Sequence, residues 1–236
     1  MREGRSATQL RPIALEVGVN RWAEGSARVT WGDTQVQATV SVEARLPPHL
    51  RGGKARGGWL TAEYALLPRA TGERRPRERL YAGGRSLEIQ RLIGRALRTA
   101  VDLDAFPKKT LTVDVDVLQA DGGTRCAGIL AGYAALRQLA DRMIRDGELS
   151  EWPLRTDVAA ISVGLVEGEA RTDLDYQEDD AASLDLNVVA TRDGRIVEVQ
   201  GGAEGEAIDA ETYVGLIGRG VRGVADVLAA VQGSLP

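Results

Sequence analysis

Alternating apolar and polar residues predict β-structure over the first part of the chain. Apolar side chains occupy every second position over residues 13–17, and two longer alternating runs cover residues 27–31 and 35–42. The Gly-Asp-Thr sequence at residues 32–34 separates those two runs and indicates a hairpin. A further strand is predicted at residues 59–66. The N-terminal region is therefore predicted to consist of strands, two of which form a hairpin.

The pattern changes to the period of a helix after a pair of glycines at residues 83–84. Over residues 86–101, apolar side chains are spaced by three or four positions, at Ile89, Leu92, Ile93, Ala96, Leu97 and Ala100. Arg85 comes immediately before this predicted helix. At such a position, free backbone N–H groups and the helix dipole favour an anion.

The same strand, turn and helix arrangement follows once more. Residues 111–117 alternate between apolar side chains and Thr or Asp, which predicts a strand with one buried face. A glycine turn at residues 121–125 leads into a second helix, whose predicted apolar face consists of Ile129, Tyr133, Leu136, Ala140 and Met143. Arg125 follows two glycines and lies where the helix begins, as Arg85 does.

The second half of the chain predicts more strands and a final helix. In order, these are a strand at residues 158–166, a turn at 167–169, a return strand at 170–176, an acidic loop at 177–184, a hairpin of residues 186–191 and 195–200, and a helix at 209–231. The hairpin signal is Asp193-Gly194. No linker or low-complexity segment divides the chain, so we interpret residues 1–236 as a single domain of the α/β or α+β class.

The composition is that of an ordinary globular protein. The chain has 236 residues, of which 43% are hydrophobic, and this is enough for a packed core. Cys126 is the only cysteine, so it cannot form an internal disulfide, and a cytoplasmic location is expected. The polar N-terminal segment lacks the apolar stretch of a signal peptide or membrane anchor, so no membrane association is expected.

Charge is distributed unevenly along a chain whose formal net charge is −4. Six arginines and two glutamates lie within residues 69–85, whereas residues 167–185 contain eight acids and one arginine. Residues 47–58 are interpreted as a second basic loop. Clustered arginines favour a surface for a polyanion such as RNA, and the alternative is a solvated loop. With 4% aromatic residues and no RNA-recognition motif, sequence-specific reading of bases is not indicated.

Arg85 and Arg125 are candidate phosphate ligands. A guanidinium group can bind a phosphate through two charge-assisted hydrogen bonds, and both arginines stand at predicted helix starts. They are 40 positions apart, so the sequence alone does not prove that they meet. The alternative for each is a surface ion pair or a contact with an RNA backbone.

Two carboxylates in the acidic segment are candidate metal ligands. Asp179 lies inside the predicted loop, and Asp185 lies at the start of the strand predicted at residues 186–191. Two carboxylates brought together can hold Mg²⁺, and one of them can donate a proton if its pKa is raised. The alternative is a solvated acidic loop. His49 is the only histidine, which disfavours a Ser-His-Asp triad, and Cys126 is interpreted as a small buried residue.

A series of longer motifs runs through the chain in a fixed order. They are AEGS (23–26), GDT (32–34), GWLTAEY (58–64), LPRAT (67–71), GRSLEIQRLIGR (84–95), QADGGTR (119–125), DLDY (173–176), ED (178–179), DLNVV (185–189) and EVQG (198–201). In this order, from residue 2 to about residue 231, they resemble the ribonuclease PH family. Long ordered motifs are far more specific than a single glycine pattern.

The resemblance implies both a fold and an activity. The implied fold is the α+β fold of domain 2 of ribosomal protein S5, with mixed sheets and helices, and the implied assembly is a homohexameric ring built as a trimer of dimers. The implied reaction is phosphate-dependent removal of nucleotides from RNA 3′ ends, chiefly those of tRNA precursors, with release of nucleoside diphosphates. The same site is expected to add nucleotides from diphosphates in the reverse direction.

The resemblance also implies roles for individual residues. The residues expected to bind orthophosphate are Arg85, Gly123, Thr124 and Arg125. Asp179 and Asp185 are expected to form the Mg²⁺ and acid site, with Asp179 protonating the departing 3′ oxygen. The residues expected to guide RNA to this site are Arg69, Arg74, Arg75, Arg77 and Arg79. The chain departs from the family pattern at Asp180, where a small residue is commoner, so that negative charge is added beside Asp179.

Two other functions are compatible with parts of this pattern. A noncatalytic RNA-binding ring subunit would not need both arginines and both aspartates. A hydrolytic, metal-dependent nuclease would need only the carboxylates. Orthophosphate is already a nucleophile at neutral pH, so phosphorolysis requires no histidine base, which agrees with the presence of only one histidine.

Overall fold

The computed structural model describes residue 2 and residues 4–50, 52, 57–77 and 83–236. The strands are β1 (Ile13–Val17), β2 (Gly25–Trp31), β3 (Thr34–Glu43), β4 (Trp59–Leu66), β5 (Thr110–Gln119), β6 (Val158–Val166), β7 (Glu169–Thr172), β8 (Ala182–Thr191) and β9 (Ile196–Ala203). The helices are α1 (Gly84–Ala100), α2 (Thr124–Arg145), α3 (Tyr176–Ala181) and α4 (Ala210–Val231).

The strands form two sheets. The first has the order β1-β2-β3-β5-β4 and is antiparallel except for the parallel pair of β4 and β5, which α1 connects along the chain. The second has the order β7-β6-β8-β9 and is antiparallel throughout. The predicted α+β class with mixed sheets is therefore confirmed. None of the helices in the described part of the chain is long and apolar enough to cross a membrane.

Helix α2 packs between the two sheets and is buried on nearly all sides. Fifteen of its 22 residues are buried, because it contacts β2 and β3 of the first sheet and β6 of the second. Gly128 and Gly132 allow this close packing: a Cβ atom at Gly132 would lie 3.0 Å from Leu97 of α1. The single apolar face predicted for this helix was therefore too narrow. A helix enclosed by other elements needs apolar or small residues all round.

The acidic loop predicted at residues 177–184 is wrong. Tyr176–Ala181 form helix α3, and β8 begins directly after it, at Ala182. The return strand predicted at residues 170–176 ends earlier, at Thr172. Asp179 thus lies on a helix, where its direction is set by the backbone.

A capping box starts helix α3. The carboxylate of Asp175 accepts a hydrogen bond from the backbone N–H of Glu178, and the side chain of Glu178 accepts one from the backbone N–H of Asp175. The sequence contains this Asp-x-x-Glu signal, but it stands within a run of acids that also matches a solvated loop. The predicted helix boundaries elsewhere are confirmed to within two residues for α1 and α4.

A buried ion pair joins the N-terminal segment to the second sheet. The carboxylate of Asp173 accepts hydrogen bonds from the backbone N–H of Arg11 at 2.6 Å, the Arg11 guanidinium at 2.7 Å and the Trp31 indole at 3.0 Å. Arg11 also donates to the carbonyl oxygen of Asp121 at 2.5 Å. One buried carboxylate therefore connects the segment before β1, the end of β2 and, through Arg11, the turn before α2.

Glu178 of α3 forms a second set of ion pairs with arginines. Arg2, Arg5 and Arg171 donate to its carboxylate at 2.6, 3.3 and 3.3 Å. Burial acts to raise the pKa of Glu178, but the hydrogen bonds from Arg2 and the nearby positive charges hold it below its usual value. Arg2 and Arg5, in the segment expected only to be polar, therefore fix the position of α3.

Replacing Asp173 with Asn is expected to destabilise the protein by about 3–5 kcal/mol, the usual cost of breaking a buried ion pair. The Arg11 guanidinium would remain buried without its counter-charge. Urea unfolding followed by circular dichroism measures the change. The matched control is Glu43→Gln, which removes an exposed pair with Arg45 and should cost less than about 1 kcal/mol. Equal losses in the two variants would contradict the role of Asp173.

Candidate active site

A cavity of about 680 Å³ opens where the N-termini of α1 and α2 approach α3 and β8. The residues predicted from the sequence to bind phosphate or metal all line it, and these are Arg85, Gly123, Thr124, Arg125, Asp179 and Asp185. Four of them lie at the starts of α1 and α2, and the two aspartates lie on α3 and β8. The tertiary structure therefore brings together side chains that are widely separated in the sequence.

The positive side of the cavity lies at two helix N-termini. Arg85 and Arg125 are the second residues of α1 and α2. The N-cap residues are Gly83 and Gly123, which have no side chain that could cap the first turn. Backbone N–H groups at such ends favour an anion, and each arginine adds a full positive charge. The nearest ion-pair partner of Arg125 is Glu88, at 3.8 Å.

The paired glycines before α2 set the distance between α2 and α3. Gly122 and Gly123 have φ values of +72° and +65°, a left-handed conformation that glycine adopts without strain. A Cβ atom at Gly122 would lie 2.6 Å from the carbonyl carbon of Asp175, which is too close for any other residue. This contact places the start of α3, and with it Asp179, beside Arg125.

Thr34 holds the same turn in place from the first sheet. Its hydroxyl donates to the carbonyl oxygen of Gly122 at 2.7 Å and accepts from the backbone N–H of Asp121 at 2.9 Å. The Arg11 guanidinium bonds the carbonyl oxygen of Asp121. The turn is thus determined by two residues that are remote in the sequence.

The negative side of the cavity consists of Asp179, which is exposed, and Asp185, which is half-buried. Protein atoms around the Asp179 carboxyl group partly desolvate it and raise its pKa, against the opposing effect of Arg125 and Arg85, and the charge of Asp180 raises it further. Burial, and then the charge of Asp179, raise the pKa of Asp185. Asp180, the departure from the family pattern, therefore favours the protonated form of its neighbour.

Asp185 lies within β8, not at the start of a strand as predicted. The strand begins three residues earlier, at Ala182, and Asp185 pairs with Gly164 of β6 and Gly202 of β9. Gly201 has a φ of +136°, and a Cβ atom there would lie 2.0 Å from the carbonyl oxygen of Asp185. Glycine in β9 therefore allows the close approach of the two strands at this carboxylate.

Two carboxylates on the acidic side of the cavity could hold a magnesium ion. In the described part of the chain, no group of three or more His, Cys, Asp or Glu residues forms a metal site. Mg²⁺ commonly uses one or two carboxylates and completes its coordination with waters and substrate phosphates. Asp179 and Asp185 supply such a donor set. The raised pKa values show that the charged form of each aspartate is disfavoured when no cation is bound. A cation beside them would stabilise both charged forms.

The arginine-rich loop reaches the cavity at Arg75. Arg75 lines the cavity, and with Arg77 and Arg85 it also lines a neighbouring pocket of about 290 Å³. Arg69 and Arg74 are exposed and line neither. Of the arginines predicted to contact RNA, the structure therefore brings Arg75 to the cavity and Arg77 to the pocket beside it.

Other parts of the basic segments lie outside the described residues. Arg79 is among them, as are residue 51 and residues 53–56 of the loop predicted at residues 47–58. His49, which is described, packs edge-on against Trp59 with ring centroids 5.7 Å apart, and neither residue lines the cavity.

Cys126 is buried, as predicted. It is 1% exposed, and burial raises the pKa of its thiol to about 12. The thiol therefore stays protonated, and it donates a weak hydrogen bond to Oδ1 of Asn187 at 3.4 Å. Cys126 therefore contacts Asn187, which lines the cavity, but Cys126 does not line the cavity itself.

Other residues that the sequence did not assign to the site also line the cavity. Among them are Tyr64, Tyr176, Asn187 and Glu204. Three belong to the motifs noted in the sequence, and Glu204 lies just beyond the last motif. A motif shows that a segment is similar to a family, but it does not show which side chains point into a cavity.

Taken together, the fold and the cavity define an α+β protein with two helix-terminal arginines and two carboxylates around one space. Two family models match the chain: domain 1 of the 3′ exoribonuclease family over residues 9–140, and domain 2 over residues 157–222. The chain belongs to the 3′ exoribonuclease family.

Individual relatives agree with this family. Ribonuclease PH of Deinococcus radiodurans is 52% identical over 240 residues, which cover 99% of this chain and 97% of that protein. The structure of rice (Oryza sativa) Rrp46 has a TM-score of 0.78 at 22% identity and covers 99% of both chains. The Archaeoglobus fulgidus exosome with RNA bound to the active site has a TM-score of 0.78 at 25% identity, covering 95% of this chain and 90% of that one. The resemblance to ribonuclease PH and the implied fold are confirmed.

Replacing Asp179 with Asn is expected to raise the melting temperature near neutral pH, measured without divalent metal. A carboxylate whose folded-state pKa is raised by partial desolvation destabilises the fold when it is charged. The gain should be complete above the folded-state pKa of Asp179 and should vanish below the ordinary aspartate value of about 3.9. Thermal melts at about pH 7.5 and about pH 3 measure both limits.

The matched control has the opposite sign. A hydrogen bond from Thr191 holds the pKa of Asp193 below its usual value. Asp193→Asn should therefore lower the melting temperature at neutral pH and lose this effect in acid. A lower melting temperature for Asp179→Asn at neutral pH would show that the carboxylate is not in an unfavourable site.

Proposed function

We propose that this protein is a phosphate-dependent 3′-to-5′ exoribonuclease. It transfers the terminal nucleotide of an RNA to orthophosphate and releases a nucleoside diphosphate, and its main substrates are tRNA precursors. A phosphodiester is exchanged for a phosphoanhydride of similar energy, so the same site adds nucleotides from diphosphates when phosphate is scarce. The observation that carries the proposal is that Arg85, Arg125, Asp179 and Asp185 line one cavity.

The attacking phosphate is assigned to the two helix N-termini. Arg85 and Arg125 provide paired N–H donors, and Gly123 and Thr124 add the free end of α2. Orthophosphate is already a nucleophile, so the protein has to hold it in line with the terminal phosphodiester and to neutralise its charge. No residue that activates water is required, which fits the position of His49 away from the cavity.

Asp179 is assigned as the acid that protonates the departing 3′ oxygen. Partial desolvation raises its pKa, whereas the charges of Arg125 and Arg85 lower it. A phosphate bound by these two arginines would neutralise them and so weaken their effect on Asp179. Phosphate binding therefore favours the protonated carboxyl group that the leaving oxygen requires.

Mg²⁺ is assigned to Asp179 and Asp185. When bound, the ion would offset negative charge on the reacting phosphodiester. Asp185 would hold it from β8 as a carboxylate, and Asp179 would hold it from α3 through the carboxyl oxygen that does not carry the proton, with substrate oxygens and waters completing the coordination. Asp185 is assigned only to Mg²⁺ and not to proton transfer. Replacing Asp185 therefore tests metal binding without removing the proposed acid.

Substrate approach and assembly form the remaining part of the proposal. Arg75 and Arg77, next to the cavity, are assigned to guide the RNA 3′ end, and Arg69, Arg74 and Arg79 are assigned to more distant parts of the strand. A homohexameric ring, built as a trimer of dimers, is supported by the likeness to chains of archaeal exosome assemblies. The buried, unpaired Cys126 agrees with a cytoplasmic location.

Two alternative functions explain less of the cavity. In a noncatalytic ring subunit, the convergence of two arginines and two carboxylates would have no role. In a hydrolytic nuclease, the two carboxylates would suffice, and the arginines at two helix starts would be unexplained. Phosphorolysis uses both sides of the cavity.

Trimming of an RNA 3′ end with and without orthophosphate tests the proposal. Nucleoside diphosphates are expected only when phosphate is present, because phosphate is the nucleophile. Arg85→Ala and Arg125→Ala should each raise the phosphate concentration needed for half-maximal rate by about 10- to 100-fold, the range for a charge-assisted contact. RNA binding, measured without phosphate, should change much less.

A control separates this site from general electrostatics. Arg155 lies outside the cavity, where it pairs with Asp102, and Arg155→Ala should leave the phosphate requirement unchanged. Release of nucleoside monophosphates without phosphate would rule out phosphorolysis. Equal losses of phosphate use and RNA binding would remove Arg85 and Arg125 from the phosphate site.

Asp185→Asn is expected to raise the Mg²⁺ concentration needed for half-maximal activity by roughly 10-fold or more, because one of the two carboxylate ligands is replaced by a neutral amide. Metal titrations of the trimming rate measure this shift. Glu169→Gln removes an exposed carboxylate outside the cavity and should not change the titration. An unaltered Mg²⁺ requirement in Asp185→Asn would show that Asp185 is not a ligand.

A further inference from the structure

A buried tyrosine hydroxyl lies directly behind the proposed phosphate site. Tyr64 is on β4 and is 2% exposed, and its hydroxyl donates a hydrogen bond to Oγ1 of Thr124 at 2.8 Å. Thr124 is the first residue of α2 and lines the cavity. Tyr64 therefore contacts a residue assigned to bind phosphate.

Burial of the phenol determines which hydroxyl is the donor. Among the described residues, Thr124 is the only hydrogen-bond partner of the Tyr64 hydroxyl. If Thr124 donated instead, the hydrogen of this 2% exposed phenol would have no protein acceptor among the described residues, which is unfavourable. Burial also raises the pKa of Tyr64, so the hydroxyl keeps its hydrogen at neutral pH. Tyr64 is a permanent donor to Thr124.

This arrangement leaves the hydrogen of the Thr124 hydroxyl free for another acceptor. A threonine hydroxyl has one hydrogen to donate and can accept through its lone pairs. Because the Thr124 hydroxyl accepts from Tyr64, its own hydrogen is not used in that contact. Thr124 lines the cavity, so this hydrogen can be donated to an acceptor there. Arg85 and Arg125 line the same cavity, so the acceptor with matching charge is an oxyanion.

We propose that Tyr64 is a positioning residue that makes Thr124 a dedicated hydrogen-bond donor to an oxygen of orthophosphate. The proposal rests on the proposed function, since it specifies how that site orients its co-substrate. It assigns no contact between Tyr64 and phosphate: the effect passes through the Thr124 hydroxyl. The alternative is a purely structural role, in which the hydrogen bond only holds β4 against α2.

Tyr64→Phe tests the proposal, because it removes the hydroxyl and keeps the ring. The dissociation constant for orthophosphate, measured by calorimetry, should rise roughly three- to tenfold, the range expected for one net hydrogen bond. The KM for phosphate in RNA trimming should rise by the same factor. The kcat and the affinity for RNA without phosphate should change by less than about twofold.

Variants of Thr124 show whether the effect passes through its hydroxyl. Thr124→Val removes that hydroxyl, and adding Tyr64→Phe to it should weaken phosphate binding no further. Thr124→Ser keeps a hydroxyl and should preserve the sensitivity to Tyr64→Phe. Additive losses in the Tyr64→Phe, Thr124→Val double variant would overturn the proposal.

Tyr133→Phe is the matched control for loss of a buried phenol. Tyr133 lies on α2, is fully buried and donates to Asp157 away from the cavity. It should leave phosphate affinity unchanged, whatever its effect on stability. Unchanged phosphate affinity in Tyr64→Phe, or equal losses of phosphate affinity, RNA affinity and kcat, would leave Tyr64 with a structural role only.

Direct binding separates this inference from the proposed function. If the unmodified protein binds orthophosphate but releases no nucleoside diphosphate, phosphorolysis fails, and the Tyr64 and Thr124 variants still decide how phosphate is oriented. If it does not bind orthophosphate at millimolar concentration, the inference itself is overturned.

Discussion

The rest of the structure depends on the buried carboxylate of Asp173. Its φ of +59° is uncommon for a residue other than glycine, and such a conformation persists only where the surroundings determine it fully. Here, Arg11 and Trp31 surround the carboxylate, and Arg11 continues to the turn before α2. The same interaction therefore directs the chain into α3 and holds the turn that α3 contacts. Through this link, an ion pair outside the cavity sets the position of Asp179.

The cavity keeps charges of opposite sign apart. Within the described residues, neither Arg85 nor Arg125 forms an ion pair with Asp179 or Asp185, although all four line the same space. The two aspartates therefore have no ion-pair partner among the described residues, and partial desolvation raises the pKa of both. A site that binds an anion on one side and a cation on the other lowers the stability of the folded protein when both ions are absent, as functional sites often do.

The periodic elements were predictable because their signals are local. The strands of the first sheet and helix α1 each have one buried face, and their apolar residues repeat at the period of the element. Helix α3 was missed because the Asp175 and Glu178 capping box lies among acids that also match a loop. The burial of α2 on all sides was missed because it results from two sheets that close around it.

By itself, the sequence determined the family, the order of most elements and the placement of Arg85 and Arg125 at helix starts, since these depend on motifs and on neighbouring residues. Only the tertiary structure decided that the two arginines line one cavity, because that depends on parallel pairing of β4 with β5 and on the contact of Gly122 with α3. It also decided that Tyr64 supports Thr124. Local periodicity does not determine the direction of side chains or the contacts between distant segments. A sequence pattern can therefore predict which residues belong to a site but not how they are arranged.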